Sequence, residues 1–158
     1  MRTLRASRPY QRSSVAIALP ASATEARSFD DLERGRPIGV QVGSVAQMVL
    51  SQRGLTTVPF AFEEDIVEEV SAGRIAGGAV SAATVGYFNM KHPNAPIQLV
   101  HAYEREPGLS WNLAVGMRGS DAPLRQRIDA AIDAMLADGT IRAIYARYGI
   151  EHRPPATP

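Results

Sequence analysis

The chain has 158 residues, with 17 basic against 16 acidic side chains and 45% hydrophobic residues, an ordinary globular composition. The near-zero net charge of +1 gives no electrostatic reason for a nucleic-acid partner. No cysteine is present, which excludes disulfides and thiol chemistry, and no apolar run is long enough for membrane insertion as a helix.

Met1 to Arg12 is basic, and the stretch after it is too short for a signal-peptide core. Ser13 to Leu19 reads as a buried strand closed by Pro20. Ala21 to Ala26 is a connector. Ser28 to Glu33 is a short helical turn in which Ser28 caps and Asp31 answers three residues on. Strands follow at 38–42 and 56–60, separated by a helix from Val45 to Arg53 that Gly54 stops.

Phe62 to Ala72 is an amphipathic helix, with Phe62, Ile66, Val67 and Val70 on one face and Glu63, Glu64, Glu68 and Glu69 on the other. A glycine- and alanine-rich strand from Ile75 to Val80 precedes a helix from Ala82 to Met90. Strands at 97–102 and 111–117 frame a polar connector. Asp121 caps a helix over Leu124 to Ala137, and Ile141 to Tyr148 is the last helix. The tail from Arg153 to Pro158 reads as frayed. Strands alternating with helices across short loops imply βαβ units and a largely parallel α/β sheet.

The turn at Gly43-Ser44 opens a helix, where free amides and the helix dipole favour an anion. The plainer reading is that Ser44 merely caps its own helix. Both readings stand at this point. The acidic run Glu63-Glu64-Asp65 with Glu68-Glu69 reads as a solvated face, with a basic docking partner as the alternative. Tyr87, Phe88 and Trp111 read as core packing. His92, His101 and His152 are too scattered for a metal site, and no cofactor motif occurs.

Four segments together resemble family 3 extracellular solute-binding proteins, of the type 2 periplasmic binding fold. They are Ser28 to Leu32 with Ile38 to Ser44; Ile66 to Ile75; Leu113 to Asp121; and Ile128 to Ile132 with Ala137 to Ile141 and Tyr145 to Gly149. Arg8-Pro9-Tyr10, Arg12-Ser13-Ser14, Gly86-Tyr87-Phe88 and Tyr148-Gly149-Ile150 also resemble the subgroup that accompanies quinoprotein alcohol dehydrogenases.

The resemblance implies two lobes joined by crossing strands, with a solute held between them. On it, residues 1–20 are the end of the first lobe and a crossing strand. Residues 21–103 are a complete second lobe, 104–150 the return strand and helices of the first lobe, and 151–158 a tail. The expectation is a chain truncated at its N-terminus, or a naturally short protein with a reduced first lobe.

The implied function is periplasmic solute binding beside a quinoprotein alcohol dehydrogenase, with no catalysis and no cofactor; the alternatives are an amino-acid ABC-transporter binding protein and a remnant that binds nothing. The implied partners are a small-molecule solute and either an ABC permease or a quinoprotein dehydrogenase. The implied contacts are Gly43, Ser44, Val45 and Ser81. Amino-acid binders of the family carry an aspartate where this chain has Ser81, and that departure points to a neutral or anionic solute, or to none. A dehydratase on the same fold would need a carboxylate in the cleft, whereas Ser44, Ser81 and Thr84 are neutral.

Overall fold

A computed structural model describes residues 4–24, 26–32, 35–119 and 121–156. Glu33, at the end of the expected turn, Ser120 and the last two tail residues lie outside the described residues, as do Met1 to Thr3. The chain divides into two compact units, Ser14–Ser110 and Met1–Ser13 with Trp111–Pro158.

The first unit is built on β2 (Ile38–Gln41), β3 (Thr57–Phe60) and β4 (Gly77–Ser81), which lie side by side in the order β3-β2-β4 and run parallel. Beyond β4 come the later part of β1 (Leu4–Leu19) and then β5 (Gln98–Val100). β1 is antiparallel to both neighbours, with Ile17 opposite Ala79 and Val100. The sheet is therefore mixed. Its parallel part is the trio joined by helical crossovers, and β1 and β5 add the antiparallel ladders.

Two helices on one face and one on the other close the unit. α1 (Val45–Gln52) buries Ala46 and Leu50 against Ile17, Leu19, Ile38 and Val40, beside Phe29 and Tyr103. α2 (Glu63–Ser71) and α3 (Ala82–Lys91) bury Ile66, Val67, Val70, Val85 and Phe88 on the opposite face, against Ala18 and Val80. The 3.6-residue spacing of these apolar positions sets which side of each helix meets the sheet.

Gly39 and Gly78 are what let α2 come so close. A Cβ at Gly39 would stand 2.7 Å from Ile66 Cγ2, and a Cβ at Gly78 would collide with the same methyl. Phe62 departs from the expected apolar face: it is the N-cap of α2 and is 63% exposed.

Ser28 and Asp31 form the expected turn, a single 3-10 turn over Phe29–Asp31 in which Asp31 Oδ2 accepts from the amides of Arg27 and Ser28, both at 2.8 Å. Those two amide bonds hold the Asp31 carboxyl below its usual range. Phe29 is anchored by its own amide, which donates to the Tyr103 hydroxyl at 2.8 Å, and its ring stacks on Tyr103 at 5.2 Å. Burial pushes the Tyr103 phenol up.

In the second unit, β6 (Ser110–Arg118) pairs with β1, whose residues Leu4–Ser13 belong here. The basic segment is thus strand from Leu4 onward, nine residues earlier than the sequence suggested. Its cations alternate with Ser7 and Gln11, which are buried. The Ser7 hydroxyl accepts from the Val115 amide at 2.9 Å.

The tail is tied down rather than frayed over its described part. The Arg12 amide donates to the Arg153 carbonyl at 2.9 Å, and Asn112 exchanges two 3.0 Å bonds with Ala156. α4 (Ala122–Ala137), capped by Asp121 accepting from the Leu124 amide at 2.9 Å, buries only Ile132 fully, and α5 (Thr140–Ala146) buries only Ile141. Leu124, Ile144, Tyr148, Trp111 and Val115 stand exposed. Trp111 and, in the other unit, Tyr87 are therefore surface residues, and only Phe88 of that aromatic group is core.

Candidate functional site

In an open α/β sheet, ligands lie beyond the carboxyl ends of the parallel strands, where successive connections leave toward opposite faces. Here that point is between β2 and β4. The chain leaves β2 into α1 on one face, and leaves β4 into α3 on the other. The Gly43-Ser44 and Ser81 turns are those two exits, so the structure brings the two sequence-derived turns to neighbouring strand ends.

At the first exit, Gly43 takes φ +72°, a left-handed conformation that favours glycine. Ser44 Oγ accepts from the Gln47 amide at 3.1 Å, and Gln47 Oε1 reaches back to accept from the Gly43 amide at 2.7 Å. The cap reading of Ser44 is realised, with Gln47 as its reciprocal partner. The Val45 amide has no partner among the described residues. The residues Gly43, Ser44, Val45, Gln47, Met48 and Ser51 line a depression of about 400 Å³. Of its lining side chains Val45 and Met48 are apolar and 44% and 54% exposed, and Val42 and Phe62, next to the ends of β2 and β3 in sequence, are 62% and 63% exposed.

At the second exit, Ser81 caps α3 by accepting from the Thr84 amide at 3.3 Å. It does not stand there without an acid. Glu63, the first residue of α2, lays its carboxylate on this turn. It accepts from the Ser81 amide at 3.0 Å on both oxygens, from Ser81 Oγ at 2.8 Å and from Thr84 Oγ1 at 2.5 Å. A carboxylate at a helix N-terminus is also favoured by the helix dipole.

The expectation of an all-neutral crevice is therefore corrected. Sequence reasoning assigned Glu63 to the solvated face because its position on α2 is polar. The signal that could have found it is its place as the first helical residue after β3, the one α2 carboxylate at a strand's carboxyl end.

No family model matches the chain. The probable amino-acid-binding protein YxeM of Bacillus subtilis is 23% identical over 147 residues, which are 89% of this chain and 53% of that protein. The chain thus spans about half the length of that curated relative. An ancestral cationic amino acid solute-binding protein superposes with a TM-score of 0.76 at 19% identity, over 94% of this chain and 66% of that one. The L-cystine solute receptor of Neisseria gonorrhoeae, in its unliganded open conformation, gives 0.76 at 17% identity over 98% and 63%. The GluR0 ligand-binding core from Nostoc punctiforme, in complex with L-glutamate, gives 0.67 at 16% identity over 92% and 65%. Among the described residues no helix is long and apolar enough to cross a membrane. On these superpositions the chain has the mixed, open-sheet α/β fold of type 2 periplasmic-binding-protein-like structures.

Proposed function

We propose that this chain binds a small solute bearing an ammonium group, an amino acid in the simplest case, at the crevice between β2 and β4. The observation that carries the reading is the Glu63 carboxylate fixed beside Ser81. It supplies the anion that an ammonium leaving water requires, and that Ser81 alone lacks. The solute's carboxylate is complemented at the other exit by the N-terminus of α1, with the Val45 amide and the Ser44 hydroxyl as donors. The exposed Val42, Val45, Met48 and Phe62 would cover the apolar part of the solute.

The likeness to YxeM and to amino-acid receptors supports this class of ligand, and periplasmic or extracellular placement is the setting such receptors imply. In this reading Glu63 acts as a binding group.

The depression at the first exit is open to solvent, so affinity should be weak, on the order of millimolar. NMR titration of the labelled chain with arginine, glutamine and N-acetylglutamine tests the reading. The free amino acids should shift the Ser44, Val45 and Ser81 amides, and the acetylated one should not. Equal shifts from N-acetylglutamine would remove the role given to Glu63.

An ABC permease is the partner that solute delivery would require. The narrower association with a quinoprotein dehydrogenase rests on the four short segments alone, and none of the proteins named above is described in those terms. Co-sedimentation with a purified quinoprotein dehydrogenase tests it, and failure to co-sediment would end it.

A further inference from the structure

The acidic run on α2 reads from the sequence as one solvated face, and the structure divides it. Glu63 is committed to Ser81 and Thr84. Glu69 forms a two-pronged pair with Arg74, both bonds at 2.6 Å. Glu64, Asp65 and Glu68 remain exposed and their carboxylates form no hydrogen bond or salt bridge among the described residues, while the Glu68 charge also acts on Arg74. Glu64 and Glu68 stand one helical turn apart, where like charges oppose the helix that carries them.

Those two carboxylates border a groove between α2 and α3 of about 350 Å³, floored by Val67, Ala83, Tyr87 and Phe88. Tyr87, one of its lining residues, is 42% exposed. Two basic side chains line the α3 end of the same groove. Lys91 Nζ lies 5.5 Å from the centre of the Tyr87 ring, and His92 stacks on Phe88 at 4.2 Å. The α2 side of the groove is therefore negative, with an apolar floor beside it.

We propose that this groove docks a basic amphipathic segment of another protein. An apolar side chain would lie over Val67 and Phe88, and a lysine or arginine would meet Glu64 and Glu68. Charge complementarity selects this occupant: a basic segment adds a cation to the Glu64–Glu68 edge, which an acidic or purely apolar segment would leave negative beside a desolvated floor. The groove lies on the helical layer, and the proposal stands whether or not the crevice binds an amino acid.

The test uses the full chain and a fluorescent, helix-forming peptide of leucine and lysine, with a leucine–glutamate peptide as control. Anisotropy should report salt-sensitive binding of the lysine peptide only. The double variant Glu64→Lys/Glu68→Lys should weaken it about five- to ten-fold without lowering the thermal midpoint. Tyr87→Ala should weaken it separately, and amide shifts should map to α2 and α3. Binding that is unchanged by the double variant, equal for the glutamate peptide, or mapped to α4 and α5 would overturn the proposal. So would self-association of the chain abolished by the double variant, which would make a second copy the occupant.

Discussion

The Glu63 carboxylate and the Ser81 backbone amide meet at 3.0 Å, joining the first residue of α2 to the last residue of β4 across 18 positions of sequence. This contact holds together the turn from which α3 starts. It also places the charged group of the crevice.

Replacing either partner should separate the cap from the charge. Ser81→Ala removes the cap of α3 and should cost about 1 kcal/mol in denaturant unfolding. Glu63→Ala strips acceptors from the Ser81 amide and from two hydroxyls and should cost more, about 1.5–3 kcal/mol. Glu63→Gln keeps an acceptor and should cost less than Glu63→Ala. It should nonetheless weaken amino-acid binding as much as Glu63→Ala does, because the lost element is the charge. Retention of binding by Glu63→Gln would show that charge is irrelevant at this turn.

Gly78 is required by packing. The Cβ of Gly78→Ala would collide with Ile66 Cγ2, on a side chain that is fully buried. The variant should lose about 1–3 kcal/mol. Combined with Ile66→Ala, which removes the opposing methyl, the loss should be smaller than the sum of the two single losses. Additive losses in urea unfolding would show that the two sites do not press on each other.

Tyr103→Phe preserves the ring stacked on Phe29 and deletes only the oxygen that accepts from the buried Phe29 amide. The orphaned N–H should cost about 1–3 kcal/mol. A change of a few tenths in chemical denaturation would show that another acceptor replaces the hydroxyl.

Asp31 should make stability fall in acid. Its folded carboxyl titrates below the ordinary aspartate range because the Arg27 and Ser28 amides donate to the charged form. The contribution is therefore fully present above the unfolded aspartate pKa and is lost as pH falls through the lower folded value. Thermal midpoints of the wild type and Asp31→Asn should differ at neutral pH and converge toward strong acid. Parallel curves throughout would contradict the assignment.

The exposed apolar side chains of α4, α5 and their flanks should make the isolated chain associate. Leu124 and Ile144 are 42% and 46% exposed, and the 16-residue α4 buries only Ile132 fully. Light scattering should show concentration-dependent growth that Leu124→Lys with Ile144→Lys suppresses. A monodisperse monomer across the concentration range would show that these patches do not drive association.

What the sequence determined by itself was the order of elements, their caps and the buried faces of most helices. Ser44 and Asp121 cap as read, Gly54 and Gly73 follow their helices in left-handed turns, and Ile66, Val67 and Val70 point to the sheet. Such features depend on backbone propensities and on a period that neighbouring residues share, so a local reading recovers them.

Only the tertiary structure decided which polar side chain on α2 turns inward. Glu63 and Glu64 are adjacent and chemically identical, yet one binds the α3 cap and the other borders an open groove. The difference lies in where the crossover from β3 sets the first turn of α2 against the end of β4, which the periodicity of either element does not contain. The exposure of Phe62, Tyr87 and Trp111 was hidden for the same reason. An aromatic side chain favours burial wherever it stands, and only the packed elements around it determine whether a partner surface is there to receive it.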